Sequence, residues 1–168
     1  MDVARIICTD LAGLRNQAVG LAEAAGFCPD VRVLRRRTGW ARVPGAMRMW
    51  PLAAVAPEIV APPWPGLAIA CGGAGSRVVA ALRRPGMRAV TIQDPRMALE
   101  KFDLVFAARH DGIGGPNVFV TRTALHRVTP ERLRSEAERW RGVFAALARP
   151  FVAVLLGGSN GRYRFGAG

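Results

Sequence analysis

His110 and Asp111 stand side by side at the end of an apolar run, FDLVFAARHD, just ahead of a glycine-rich stretch. A histidine with a neighbouring carboxylate suits a general base held in one orientation, although residues adjacent in sequence rarely join ring to carboxylate directly. A conformational reading stands beside it: His110 ends the strand and Asp111 makes an Asx turn into Gly112. A metal centre needs more ligands, and the other histidine, His126, lies beyond a further apolar segment. Neither a metal nor a cofactor is expected.

Two glycine turns carry the other candidate chemistry. GGSNG, residues 157–161, formally matches the G-x-S-x-G of a hydrolase elbow with Ser159 as nucleophile. That fold places its acid and histidine after the serine, and only RYRFGAG follows here, so a hydrolase is not expected. Gly157 and Gly158 expose backbone amides, and Ser159 and Asn160 add side-chain donors. The segment therefore suits a phosphate-binding turn or a plain strand-to-helix turn. CGGAGSR, residues 71–77, approaches a dinucleotide fingerprint, but Val78 takes the place of the third glycine. It reads as a tight turn that lets a helix pack on a sheet, with Arg77 as a phosphate partner. The chain has no G-x-x-x-x-G-K-[ST], which excludes a P-loop NTPase.

These residues need a frame to position them. Short apolar runs (ARIICTD, VRVLRR, GLAIACGG, RAVTIQDP, FDLVFAARH, NVFVTR) alternate with helical patterns near 16–25 and 76–84, the signature of a parallel sheet with crossover helices. Thr129 and Pro130 form a helix cap and first turn, and Leu133, Ala137, Trp140, Phe144 and Leu147 follow at helical spacing. A further strand, FVAVLL, is expected to lead into GGSNG. The fold class is thus α/β, a Rossmann-like parallel sheet with flanking helices. Ligands of such sheets gather at the carboxyl ends of the strands, where His110 and Asp111 are expected.

Composition narrows the partners. With 168 residues and a hydrophobic fraction of 51%, the chain is long enough to bury a core. Its net charge of +12 is almost wholly arginine, which draws phosphates, nucleic acid or anionic headgroups. The arginines are dispersed and no recognition motif appears, so no specific nucleic-acid partner is expected. Cys8, Cys28 and Cys71 are odd in number and lack a C-x-x-C, which suits reduced thiols in the cytoplasm. No targeting segment is visible, and prolines at 57, 62, 63 and 65 break the long apolar stretch from Pro51 to Cys71.

The segments GLRNQAVGLAEAAGF, IQDPR, FDLVFAARHD, GPNVFVTRTALHRVT and RPFVAVLLGGSNGRY occur in order along nearly the whole chain. Together they resemble the mitochondrial fission family, in the bacterial relatives of the plant elongated-mitochondria protein. The family's motif positions fall on Gly13, Asn16 and Gln17, on Gln93, Pro95 and Arg96, on His110 and Asp111, and on Gly157 and Gly158. Thr123 stands where the family usually shows a glycine, and Arg77 comes later than the family's arginine. The resemblance implies the first domain of a GT-B-like two-domain architecture, with residues 1–148 as a Rossmann-like domain and 149–168 as the truncated start of a second.

The implied chemistry is sugar transfer from a nucleotide-sugar to a cell-envelope acceptor. Asp10, Gly13, Asn16, Gln17, Gln93 and Arg96 would line the substrate side, and His110 or Asp111 would deprotonate the acceptor hydroxyl. Gly157, Gly158, Ser159 and Asn160 would begin the nucleotide and phosphate site. A cytoplasmic location at the inner face of an anionic membrane follows from the same reading. The competing reading is a non-enzymatic, membrane-associated adaptor that recruits a protein such as a dynamin-related partner.

Overall fold

The computed structural model describes residues 2–39, 49–156 and 164–166. They fall into two compact units, Met1–Val128 and Thr129–Gly168.

In the first unit, six segments form strands: β1 (Val3–Cys8), β2 (Cys28–Val33, beginning three residues earlier than the VRVLRR run), β3 (Leu67–Cys71), β4 (Arg88–Ile92), β5 (Leu104–Ala108) and β6 (Val118–Thr121). All neighbours pair in parallel, in the order β2-β1-β3-β4-β5-β6. The sheet is the expected α/β, Rossmann-like one. Its helices are α1 (Ala12–Ala24), the single turn α2 (Pro51–Ala54) and α3 (Gly73–Leu82). The chain first winds outward from β1 to β2, then returns to build the other half from β3. Right-handed crossovers therefore put α1 and α3 on opposite faces.

Alternation along each strand feeds the two faces. Ala4, Ile6, Cys8, Ile69, Cys71, Val90 and Ile92 pack with Ala18, Val19 and Ala22 of α1. Ile7, Ala68, Ala70, Ala89 and Val105 pack with Val78, Val79 and Leu82 of α3. Because both faces are covered, the inner strands are apolar at nearly every position.

Arg5 breaks that pattern in the middle of β1, and each nitrogen of its guanidinium donates a hydrogen bond. It donates to Asp30 at 3.2 Å, to the Ala61 carbonyl at 2.6 Å and to the Pro63 carbonyl at 3.0 Å. The proline-rich segment after α2 is thereby tied to the sheet. Asp30 is shared with Arg32 at 2.8 Å. Buried polar groups persist only when paired in this way.

Two glycines set close approaches. A Cβ on Gly75 would lie 2.3 Å from the Ile7 carbonyl oxygen, so α3 can press onto β1 only without a side chain there. A Cβ on Gly20 would lie 2.6 Å from the His126 carbonyl oxygen. The CGGAGSR turn thus has the packing role expected of it, with Gly72 at φ +78° making the turn itself.

The second unit contains α4 (Pro130–Trp140). Thr129 caps it, accepting a hydrogen bond from the Arg132 amide at 3.2 Å, with Pro130 in the first turn as the sequence predicts. The apolar stripe predicts a helix reaching Leu147, but α4 ends at Trp140. Residues 142–147 carry on as turns, from Ala145 to Gly142 and from Leu147 to Phe144, beginning at a glycine with nothing packed on it. FVAVLL, the expected strand, has no regular structure: residues 151–156 are exposed. A parallel strand exists only through its neighbours, and none among the described residues pairs with it.

Candidate functional site

The reversal of strand order between β1 and β3 is the topological switch point, where the loops after adjacent strands diverge and leave a crevice. The loops after β1, β3, β4 and β5 all emerge along this carboxyl edge. They carry Asp10, Gly72, Gln93 and His110 in turn.

Gln17, Gln93 and His110 come together there. With Phe106 and Thr121 they line a small cleft of about 30 Å³, on the α1 side of the sheet. Gln93 ends β4 with φ 72°, a left-handed backbone that a residue other than glycine adopts only under constraint. Its amide donates to the Phe106 carbonyl at 2.8 Å, and its Oε1 lies beside Gly72. Arg96, three residues on, is also left-handed, with φ 52°, and its amide donates to Asp94 at 2.7 Å. Pro95 between them is fully buried. Two left-handed residues other than glycine in one turn are backbone strain that the surrounding contacts must hold.

His110 and Asp111 form a one-turn helix with Arg109 after β5. His110 is 82% exposed, whereas Asp111 is 15% exposed and accepts a hydrogen bond from the Ala108 amide at 2.8 Å. The other Asp111 oxygen lies 3.8 Å from His110 Nε2, close enough to steady an imidazolium and too far for a hydrogen bond. Gly112 follows in the left-handed region, φ 66°, but the Asp111 side chain bonds back to Ala108 and not forward as an Asx turn into Gly112 would.

The remaining predicted residues distribute unevenly. Asp10, just before α1, pairs with Arg15 at 3.5 Å. Gly13 and Asn16 lie exposed on the first turns of α1. Arg96 lines a separate cleft on the α3 side. Gly157, Gly158, Ser159 and Asn160 lie outside the described residues. Phe106 and Thr121 were not singled out from sequence, because strand alternation marks them only as half-buried apolar and polar positions.

Under the site, Cys8 and Cys71 face each other at the ends of β1 and β3. Burial pushes the Cys71 thiol up to about 12, with Cys8 adding to the effect. Burial raises Cys8 as well, opposed by Arg15 and assisted by Asp10. These are packing residues, not nucleophiles. Among the described residues no cluster of three or more His, Cys, Asp and Glu could hold a metal ion, and no helix is long and apolar enough to cross a membrane.

Comparison with known proteins meets this geometry. The family model described as mitochondrial fission ELM1 matches residues 12–168. The mitochondrial fission protein ELM1 of Arabidopsis thaliana is 30% identical over 129 residues, an alignment covering 61% of this chain and 30% of that protein. The chain therefore matches less than a third of that relative's length. No solved structure matches. The family match takes in α1, the strained turn after β4 and the His110–Asp111 turn alike, and the chain belongs to the mitochondrial fission ELM1 family.

Proposed function

We propose that this chain supplies the acceptor side of a GT-B-type, glycosyltransferase-like protein that uses a nucleotide-sugar and a cell-envelope acceptor. The observation that carries the reading is the meeting of Gln17, Gln93 and His110 from three separate elements at one small cleft on the carboxyl edge. In this reading the two amide side chains orient an acceptor through hydrogen bonds. His110, exposed to the cleft, removes the hydroxyl proton, and Asp111 stabilises the imidazolium that forms. Asp111 has one oxygen committed to the backbone, so the histidine is the mobile partner. Asp10, Gly13 and Asn16 border the approach, and Gly157–Asn160 contribute to the donor phosphate site.

The experiment is a thermal-shift screen of the full-length protein against nucleoside diphosphates and nucleotide-sugars, followed by transfer assays on the H110N variant. Binding of at least one nucleotide is expected, with H110N retaining that binding and losing about 10²–10⁴ in transfer rate. Failure of every nucleotide to bind would sink the reading.

One observation favours the adaptor reading. Leu133, Trp140 and Phe144 are exposed in the second unit, and Trp140, Phe144 and Phe151 form a run of ring contacts at 6.4 and 6.1 Å. Exposed apolar surface of this kind suits a protein partner, with or without sugar transfer.

A further inference from the structure

On the α3 side of the sheet a second cleft of about 580 Å³ opens, within the range of small-molecule sites. Four cations line it, Arg77, Arg83, Arg96 and Lys101, against the single carboxylate of Glu100. They come from α3, the strained turn after β4 and the turn at Leu99–Lys101, so folding alone brings them together.

Their partners differ. Arg83 donates to Asp103 at 3.1 Å and to the Glu100 carbonyl at 3.2 Å, so its charge is largely answered. Arg77 is steadied by a bond to the Gly73 carbonyl at 3.2 Å, which neutralises nothing. The side chains of Arg96 and Lys101 have no hydrogen bond or ion pair among the described residues. Arg77, Arg96 and Lys101 thus line one cleft with no carboxylate bonded to them among the described residues, a positive surface that a bound anion would answer. Met49 and Met97 form an apolar wall beside them.

We propose that this cleft binds a ligand carrying a multiply charged phosphate or diphosphate group. Arg77, Arg96 and Lys101 hold the phosphate oxygens, and the methionines cover the ligand's apolar portion. Guanidinium forks match phosphate oxygens in pairs, and several cations lining one cleft suit a group with more than one charge better than a lone carboxylate. The site faces away from the Gln17–Gln93–His110 cleft and stands whether or not that cleft transfers a sugar. The phosphate belongs either to a soluble diphosphate or to a lipid headgroup, and both present the same oxygens.

Calorimetry on the full chain with inorganic pyrophosphate, and co-sedimentation with phosphatidylcholine vesicles with and without phosphatidic acid, separate the two sources. Pyrophosphate binding identifies a soluble ligand, and binding to the phosphatidic acid vesicles alone identifies a lipid. In either case K101E and R77Q should weaken binding about tenfold or more, and K101R should retain it. R132E, which makes the same charge change as K101E on the exposed face of α4, should have little effect. The proposal is overturned if neither probe binds, or if R132E weakens binding as much as K101E does.

Discussion

Asp30 and Asp103 each hold an ionised carboxylate against the pull of burial. Burial alone would raise both, but hydrogen bonds from Arg32 and Arg5 to Asp30 outweigh it and lower its pKa. At Asp103 the Ala89 amide, at 2.8 Å, and Arg88, at 3.0 Å, do the same. A carboxyl whose folded pKa lies below its unfolded value contributes stability that is full above about pH 5 and disappears as pH falls through the folded pKa. Urea denaturation should therefore show stability falling from about pH 5 to about pH 3, with a shallower fall in D103N. An identical pH profile for wild type and D103N would contradict the assignment. The thiols behave oppositely: buried and raised, Cys8 and Cys71 are not thiolates at neutral pH, while Cys28 is exposed. Ellman's reagent should titrate Cys28 alone in the native protein and all three thiols in denaturant, with C28S abolishing the native reaction.

Among the elements, α1 contains its own control. A Cβ added at Gly13 would meet nothing within 4 Å, whereas one at Gly20 in the same helix meets the His126 backbone at 2.6 Å. G13A should leave stability unchanged or raise it by up to about 1 kcal/mol, since alanine is the better helix former. G20A should cost about 1–3 kcal/mol through forced separation, and G75A, against Ile7, at least as much. Chemical denaturation measures all three, and equal effects of G13A and G20A would refute the close-approach argument. The edge strand β2, half exposed, lies at Cys28–Val33, beginning three residues before the VRVLRR run. The inner strands were legible as apolar runs, because a sheet covered on both faces leaves no alternation to confuse with a helix. The start of α1 at Ala12 was not: its cap, Leu11, makes no side-chain hydrogen bond, so LAGLR resembles a loop. FVAVLL shows the limit from the other side, since composition gives a strand's propensity and not its partner. At the site, His110 and Gln17 were visible by type and motif. The left-handed turn at Gln93 and Arg96 was hidden, because neither residue type signals a positive φ.

For the molecule as a whole, parallel pairing gathers every strand's carboxyl end on one edge; one cleft opens there, and the other runs along α3 on the opposite face of the sheet. The turn from Gln93 to Arg96 contributes to both. Net charge was plain in the sequence, but its concentration was not: Arg77, Arg96 and Lys101 are met only after the chain has folded. Arg77, Ala80 and Ala81, one arginine with small neighbours at helical spacing, was the available clue to an open helix face. A different consequence attaches to Arg5. It grips the segment before β3 through the carbonyls of Ala61 and Pro63, and any amino acid supplies a carbonyl. Pro62 and Pro63 themselves are exposed. Specification of this contact is therefore one-sided: it needs the side chain of Arg5 but only the main chain at Ala61 and Pro63.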